Sequence, residues 1–104
     1  MTVADWLGTR TPAPPPALAS RIAEALANHG MRDESDTDIA CVDAAEPLLR
    51  DLLARPSAGR ESALDLLSVD ALVTYAFEAA SSSPGGLAER ASTAMRRFAQ
   101  AAFA

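Results

Sequence analysis

Lysine is absent from the sequence, and cysteine and histidine each occur once, at Cys41 and His29. Without lysine the chain can form neither a Schiff base nor a P-loop of the usual kind. A single cysteine cannot form an intrachain disulfide, and one histidine without a second histidine or a nearby cysteine does not complete a metal site. We therefore expect no metal ion, no cofactor and no catalytic residues.

Positive charge is also scarce, because the chain has nine arginines but 14 acidic residues, and its net charge is −5. A nucleic-acid-binding protein needs a positive surface to meet the phosphate backbone, so we expect no nucleic acid partner. Charges break every apolar run well before the roughly 18 residues that a membrane span needs. The first residues, MTVADWLG, lack the basic and apolar regions of a secretory signal. We expect a cytoplasmic protein without a membrane span.

Large apolar side chains are few, although 49% of the residues are apolar, because 24 of them are alanine. Alanine favours helices but buries little area. The core must come from 12 leucines, four valines, two isoleucines and a few aromatic residues. A single domain of this size with so modest a core would gain stability by associating with another chain.

The most apolar stretch is RESALDLLSVDALVTYAFEAA, over residues 60–80. On a helical wheel its apolar residues cover more than half of the circumference, and Asp70, Thr74 and Glu78 mark a narrow polar seam. A helix that is apolar nearly all round must be covered on several sides. We therefore predict a central helix that is enclosed by its own chain or by a partner.

Asp65 falls within the apolar arc of this helix. A buried carboxylate would have a raised pKa and could act as a general acid or contact a ligand. We favour a structural role instead, because a carboxylate in the first two turns suits the helix dipole and an arginine such as Arg50 or Arg60 can pair with it.

Three further helices are predicted from apolar residues at helical spacing, over residues 15–29, 38–54 and 84–102. The first ends at Gly30 and carries His29 at its C terminus, where the helix dipole favours a cation. Short connections between the helices favour an antiparallel arrangement of neighbours.

The helix over residues 38–54 contains Pro47, which removes an interior hydrogen bond. Apolar positions continue across the proline, so we predict one kinked helix, with two short helices as the alternative. The Asp-Thr-Asp sequence at residues 36–38 is typical of a helix N-cap. Cys41 lies beside the apolar positions, so we interpret it as a small buried hydrophobic residue.

The N-terminal segment is predicted to form a short helix followed by a proline arm. Thr2 and Asp5 fit a capping box, and Trp6 and Leu7 then form an apolar plug. RTPAPPP, over residues 10–16, cannot be regular helix and favours a stiff polyproline II conformation. Such an arm either binds an aromatic groove of a partner or positions Trp6 against the bundle.

Together these patterns predict an all-α fold, a small antiparallel bundle of four main helices preceded by a short N-terminal helix and a proline-rich arm. We expect a single helical domain over residues 1–104, with the Trp-bearing helix and the arm in residues 1–16 and the bundle in residues 17–104.

No residue group in the sequence defines a reaction. We therefore expect a noncatalytic accessory or adaptor protein that acts through helical protein–protein contacts, as a homodimer or with another protein. The candidate partner-binding residues lie in the N-terminal segment and near the C terminus: Trp6, Leu7, Pro14, Pro15, Arg96, Arg97 and Phe103. The alternative function is a small helical ligand-binding protein or enzyme with a carboxylate pocket formed by Asp65, Tyr75 and Glu78.

Overall fold

The computed structural model describes residues 1–55, 59–82 and 86–103, except for the side chain of Leu87. The helices are α1 (Val3–Gly8), α2 (Pro16–Ala25), α3 (Thr37–Ala54), α4 (Arg60–Ser81) and α5 (Leu87–Phe103), with a 3-10 turn at Glu34–Asp36 before α3. No β-strand occurs in these described ranges. The predicted fold is confirmed: α2 to α5 form a small antiparallel bundle, preceded by α1 and the proline arm. The predicted start of α5 at residue 84 lies outside the described residues.

Backbone hydrogen bonds attach α1 to the turn between α2 and α3. The Asp5 N–H donates to Thr2 Oγ1 over 3.2 Å and the Thr2 N–H donates to Asp5 Oδ2 over 3.0 Å, so the predicted capping box is confirmed. The N–H of Val3 donates to the carbonyl of Arg32 at 2.8 Å. First-turn N–H groups have no partner within their own helix, and here a second one, that of Ala4, donates to the carbonyl of Gly30 at 3.0 Å. The side chain of Val3 is fully buried by this attachment.

The core lies mainly between α3 and α4, which share the most extensive contact in the bundle. Its buried members are Ile22, Leu26, Cys41, Val42, Ala44, Ala45, Leu48, Val69, Leu72 and Ala76. Four of these ten side chains are alanine or cysteine, so the core is as modest as the composition indicates. Cys41 is completely buried, as predicted. Burial, together with the charge of Asp38, raises the pKa of its thiol to about 12, so the thiol stays protonated and unreactive.

The exposed flank of α4 shows that the chain encloses this helix less completely than the apolar arc indicates. Its buried residues form one face: Ser68, Val69, Leu72, Ala76 and Ala80. In contrast, Leu66, Leu67 and Phe77 are 59%, 54% and 39% exposed. The helices α2, α3 and α5 pack against α4, but they leave these three apolar side chains in contact with solvent.

The prediction that α2 continues to His29 is wrong, because α2 ends four residues earlier, at Ala25. The following residues form tight turns, in which the His29 N–H donates to the carbonyl of Leu26 at 2.8 Å. His29 therefore does not lie at a helix C terminus. Its Nδ1 is 3.5 Å from an Nη1 of Arg32.

The start of α3 agrees with its prediction in position, because Asp36 is the N-cap residue, but it differs in its hydrogen bonds. Asp36 makes no side-chain capping bond, and the hydroxyl of Thr37 donates instead to the carbonyl of Glu34 at 2.6 Å. Asp38 is buried and points to α5 rather than to the end of its own helix. The prediction of a single helix across Pro47 is confirmed, and Pro47 itself is exposed. No helix among the described residues is long and apolar enough to cross a membrane.

Candidate functional site

The N-terminal segment packs against the C-terminal half of α4. The Trp6 and Tyr75 rings meet edge to face, with centroids 6.4 Å apart and planes at 88°. The Arg10 guanidinium carbon lies 4.1 Å from the centroid of the Trp6 ring, and its Nη1 lies 3.6 Å from Oε2 of Glu78. Aromatic and cation–π contacts of this kind contribute about 1 kcal/mol each. This is the arrangement expected of an arm that positions Trp6 against the bundle.

An open groove lies beside this aromatic cluster, between α1, the proline arm and α2. We call it the α2 groove, and its volume is about 520 Å³. Its walls are mainly alanine, glycine and aliphatic side chains, and the buried Ile22 and Leu26 are among them. Leu7 and Pro14, two of the predicted partner-binding residues, line this groove, whereas Pro15 is exposed elsewhere.

Asp65 lies apart from the other two residues of the predicted carboxylate pocket. Its Oδ1 accepts a hydrogen bond from Nε of Arg21 at 2.6 Å, so its partner is neither of the two predicted arginines. This hydrogen bond raises the pKa of Arg21. Asp65 is ten residues from Tyr75, about 15 Å along the helix axis. The structure thus brings Tyr75 and Glu78 together with the N-terminal segment and leaves Asp65 on the α2 side of the bundle.

Two arginines attach α5 to α3. Nη1 of Arg90 is 2.8 Å from Oδ2 of Asp38. Nη2 of Arg97 is 2.8 Å from Oδ1 of Asp43 and 2.6 Å from Oε2 of Glu46. Arg97, a predicted partner-binding residue, therefore uses its guanidinium within the chain rather than presenting it to an acidic partner.

The two remaining predicted residues of α5 are open to solvent. Arg96 is exposed and bonds only loosely to the hydroxyl of Thr93, at 3.3 Å. Phe103 is 89% exposed. Neither side chain lies in one of the two grooves.

The Asp43 carboxylate receives hydrogen bonds from Arg32 on one side and Arg97 on the other. Burial alone would raise the pKa of Asp43, but these hydrogen bonds and the two positive charges outweigh it and hold the pKa below its usual value of 3.8. A lowered folded-state pKa contributes stability that is present above the unfolded-state pKa and is lost as the pH falls through the folded-state pKa.

We therefore expect Asp43→Asn to lower the free energy of unfolding by about 1 kcal/mol near neutral pH and by much less in strong acid. The difference should shrink as the pH falls below about 4. Urea unfolding followed by circular dichroism across this range measures it. Asp70→Asn, at an exposed position of α4, is the matched control. An equal, pH-independent effect of the two substitutions would contradict this role of Asp43.

A second open groove, which we call the α5 groove, lies between α3, α4 and α5 and has a volume of about 510 Å³. Three apolar side chains that line it remain solvent-exposed: Ile39 (44%), Phe77 (39%) and Met95 (65%). Ala101 alone is buried among the described side chains of α5. The helix is therefore held partly by its arginines and leaves an apolar channel beneath it.

Ile39, Phe77 and Met95 are not among the site residues predicted from the sequence. Each is an apolar residue on a helix, and an apolar residue on an amphipathic helix is usually part of the core. Only the packing of α5 against α3 and α4 reveals that these three remain uncovered.

No protein family model matches this chain, and no curated protein or solved structure shows significant similarity to it. Among the described residues, no group of three or more metal-ligating side chains comes together. The two apolar grooves are therefore the features from which a function is inferred.

Proposed function

We propose that the protein is a noncatalytic helical adaptor that forms a homodimer through the α5 groove. The observation that carries this proposal is the exposure of Ile39, Phe77 and Met95 along one groove. Phenylalanine and methionine are enriched in protein–protein interfaces, where their removal from water stabilises the complex. A second copy that covers this channel would complete a core that is modest in the monomer.

The charges around the α5 groove favour a second copy as its occupant. Among the described residues that line it, Asp38 and Glu89 are acidic and Arg90 and Arg97 are basic, so their charges sum to zero. The whole chain carries a net charge of −5, so two copies repel each other over most of their surfaces. A dimer with twofold symmetry places the same patch on both sides of the interface, and a charge-balanced patch can meet itself without net repulsion.

Light scattering after size exclusion, over a hundredfold range of concentration, tests this proposal. We expect a dimer mass for the wild-type protein at the upper concentrations. Met95→Glu should shift the protein to the monomer mass, because it places an uncompensated charge on each side of the interface.

Leu67→Glu is the matched control for Met95→Glu, because it introduces the same charge at an exposed leucine of α4 outside the groove. Both positions are exposed, so neither change should alter stability by more than about 0.5 kcal/mol. A wild-type monomer at every concentration would contradict the proposal, as would equal dissociation of the dimer by both variants.

We place this adaptor in the cytoplasm, because a chain with a single cysteine has no intrachain disulfide, which suits a reducing compartment. An adaptor of this kind presents the outward faces of its dimer to other proteins. Arg96 and the exposed Phe103, which lie outside both grooves, are then the residues of α5 available for such a second contact.

A further inference from the structure

We propose that the α2 groove binds a single-chain amphiphilic carboxylate of the fatty-acid type, with its alkyl chain in the groove and its carboxylate on Arg10. This site lies on the other side of α4 from the α5 groove and does not depend on dimer formation. The proposal combines three features of the described residues: the apolar walls of the groove, its single charge and the contacts of that charge.

The walls of the α2 groove suit an alkyl chain. Its volume of about 520 Å³ falls within the range typical of small-molecule sites. Small side chains such as Ala19, Ala23 and Gly8 leave this space open, and the buried Ile22 and Leu26 contribute apolar surface. A flexible hydrocarbon chain can follow such a groove without requiring any polar partner along its length.

The charge of the α2 groove specifies the headgroup. Arg10 is the only charged side chain among the described residues that line the groove, although the chain as a whole is acidic. One guanidinium balances one carboxylate, and its planar donors match the two oxygens of that group. A doubly charged phosphate would leave one negative charge unbalanced, next to Glu78.

The existing partners of Arg10 leave part of its guanidinium available. Its Nε and Nη2 contact the hydroxyl of Thr9 at 3.3 and 2.9 Å, and its face stacks on Trp6. Its Nη1 is 3.6 Å from Glu78, which is too long for a hydrogen bond. The Glu78 side chain is 47% exposed, so this ion pair is weak and readily exchanged. A ligand carboxylate therefore competes with Glu78 for Nη1.

Dodecanoate and dodecanol, which share one chain length and differ in charge, are the probes for this site. Trp6 is the only tryptophan of the chain and touches Arg10, so its fluorescence reports occupancy of the headgroup position. We expect saturable binding of dodecanoate, below its micelle concentration, to the full-length protein. Dodecanol should bind more weakly, because it lacks the charge that Arg10 would recognise.

Two substitutions with opposite expected effects test the role of Arg10. Arg10→Gln should weaken dodecanoate binding about tenfold, because it removes a charged hydrogen-bond donor. Glu78→Gln should strengthen dodecanoate binding a few-fold, because it removes the competing carboxylate. Asp70→Asn controls for the change in net charge caused by Glu78→Gln, and should leave the affinity unchanged.

A groove-filling variant tests the position of the alkyl chain. Ala23→Phe, at an exposed residue that lines the groove, should abolish binding of both probes while leaving the mass from light scattering equal to that of the wild type. The proposal is overturned if dodecanoate shows no saturable binding, if Arg10→Gln weakens dodecanol and dodecanoate equally, or if Ala23→Phe binds both probes like the wild type. Since light scattering of each variant reports the dimer separately, a failure of this site is distinguishable from a failure of the proposed adaptor function.

Discussion

Replacing Leu72 with alanine is expected to lower the free energy of unfolding by about 3 kcal/mol. Leu72 is completely buried and belongs to the central core cluster between α3 and α4. Several of its neighbours in that cluster are alanine, and such short, rigid side chains cannot move into the space that the substitution leaves. The lost transfer free energy of the removed atoms and the free-energy cost of the remaining cavity then add.

Urea unfolding, followed by circular dichroism at neutral pH, measures the effect of Leu72→Ala. Leu67→Ala is the matched control, because it removes the same atoms from the same helix at a position that is 54% exposed. Leu67→Ala should lower the free energy of unfolding by no more than about 0.5 kcal/mol. Equal losses for the two variants would show that α4 is not packed by the face that contains Leu72.

A loss of this size is large for a chain with so small a core. Domains of this class unfold with a total free energy of about 5–15 kcal/mol. One truncated leucine can therefore remove a substantial part of the stability, and ligands or a second copy that bind the folded state would restore part of it. For this reason, the measurement should be made at a single fixed protein concentration.

The spacing of apolar residues predicted the helices, because helix formation depends largely on residues that are close together in the sequence. The capping box at Thr2 and Asp5 and the single helix across Pro47 follow from residue types a few positions apart. The end of α2 did not follow from the sequence, because residues 26–29 keep the apolar spacing of a helix but form turns. Just beyond them, the carbonyls of Gly30 and Arg32 accept hydrogen bonds from N–H groups of α1. Tertiary contact outweighs local preference at such a boundary.

The ion pairs show why much of the site could not be predicted. Arg21 and Asp65 are 44 residues apart, and Arg97 and Glu46 are 51 residues apart. Charge spacing along one helix identifies neighbours three or four residues apart, but not partners on different helices. The sequence therefore identifies Arg96 and Arg97 as candidate partner-binding residues, and only the fold shows that Arg97 forms ion pairs with Asp43 and Glu46 of α3.

The exposed flank of α4 has a different origin. The apolar arc of its helical wheel counts alanine and leucine alike, and it does not show how many neighbouring helices are available to cover it. The helices α2, α3 and α5 cover one face, but they leave Leu66 exposed and cover Phe77 only in part. The same pattern is consistent with cover by the chain or by a partner, and the dimer that we propose assigns the second possibility to the α5 groove.

Arg97→Gln is expected to lower the free energy of unfolding by about 2 kcal/mol. The substitution removes hydrogen bonds to Glu46 at 2.9 and 2.6 Å and a contact to Asp43 at 2.8 Å. The loss stays below that of a fully buried pair, because Arg32 still bonds to Asp43 and Arg50 still bonds to Glu46. Arg96→Gln makes the same chemical change at the neighbouring, exposed residue and should cost no more than about 0.5 kcal/mol.

Hydrogen exchange locates the effect of Arg97→Gln within the molecule. Because few apolar side chains of α5 are buried, loss of this attachment should speed exchange in α5 more than in α3 or α4. The helix α5 also forms one wall of the α5 groove, so Arg97→Gln should weaken the proposed dimer without changing its exposed apolar residues. Arg96→Gln should alter neither property. If the amides of α5 exchange at equal rates in the two variants, the ion pairs of Arg97 do not hold this helix. Apolar contacts such as those of Phe98 must then hold it instead.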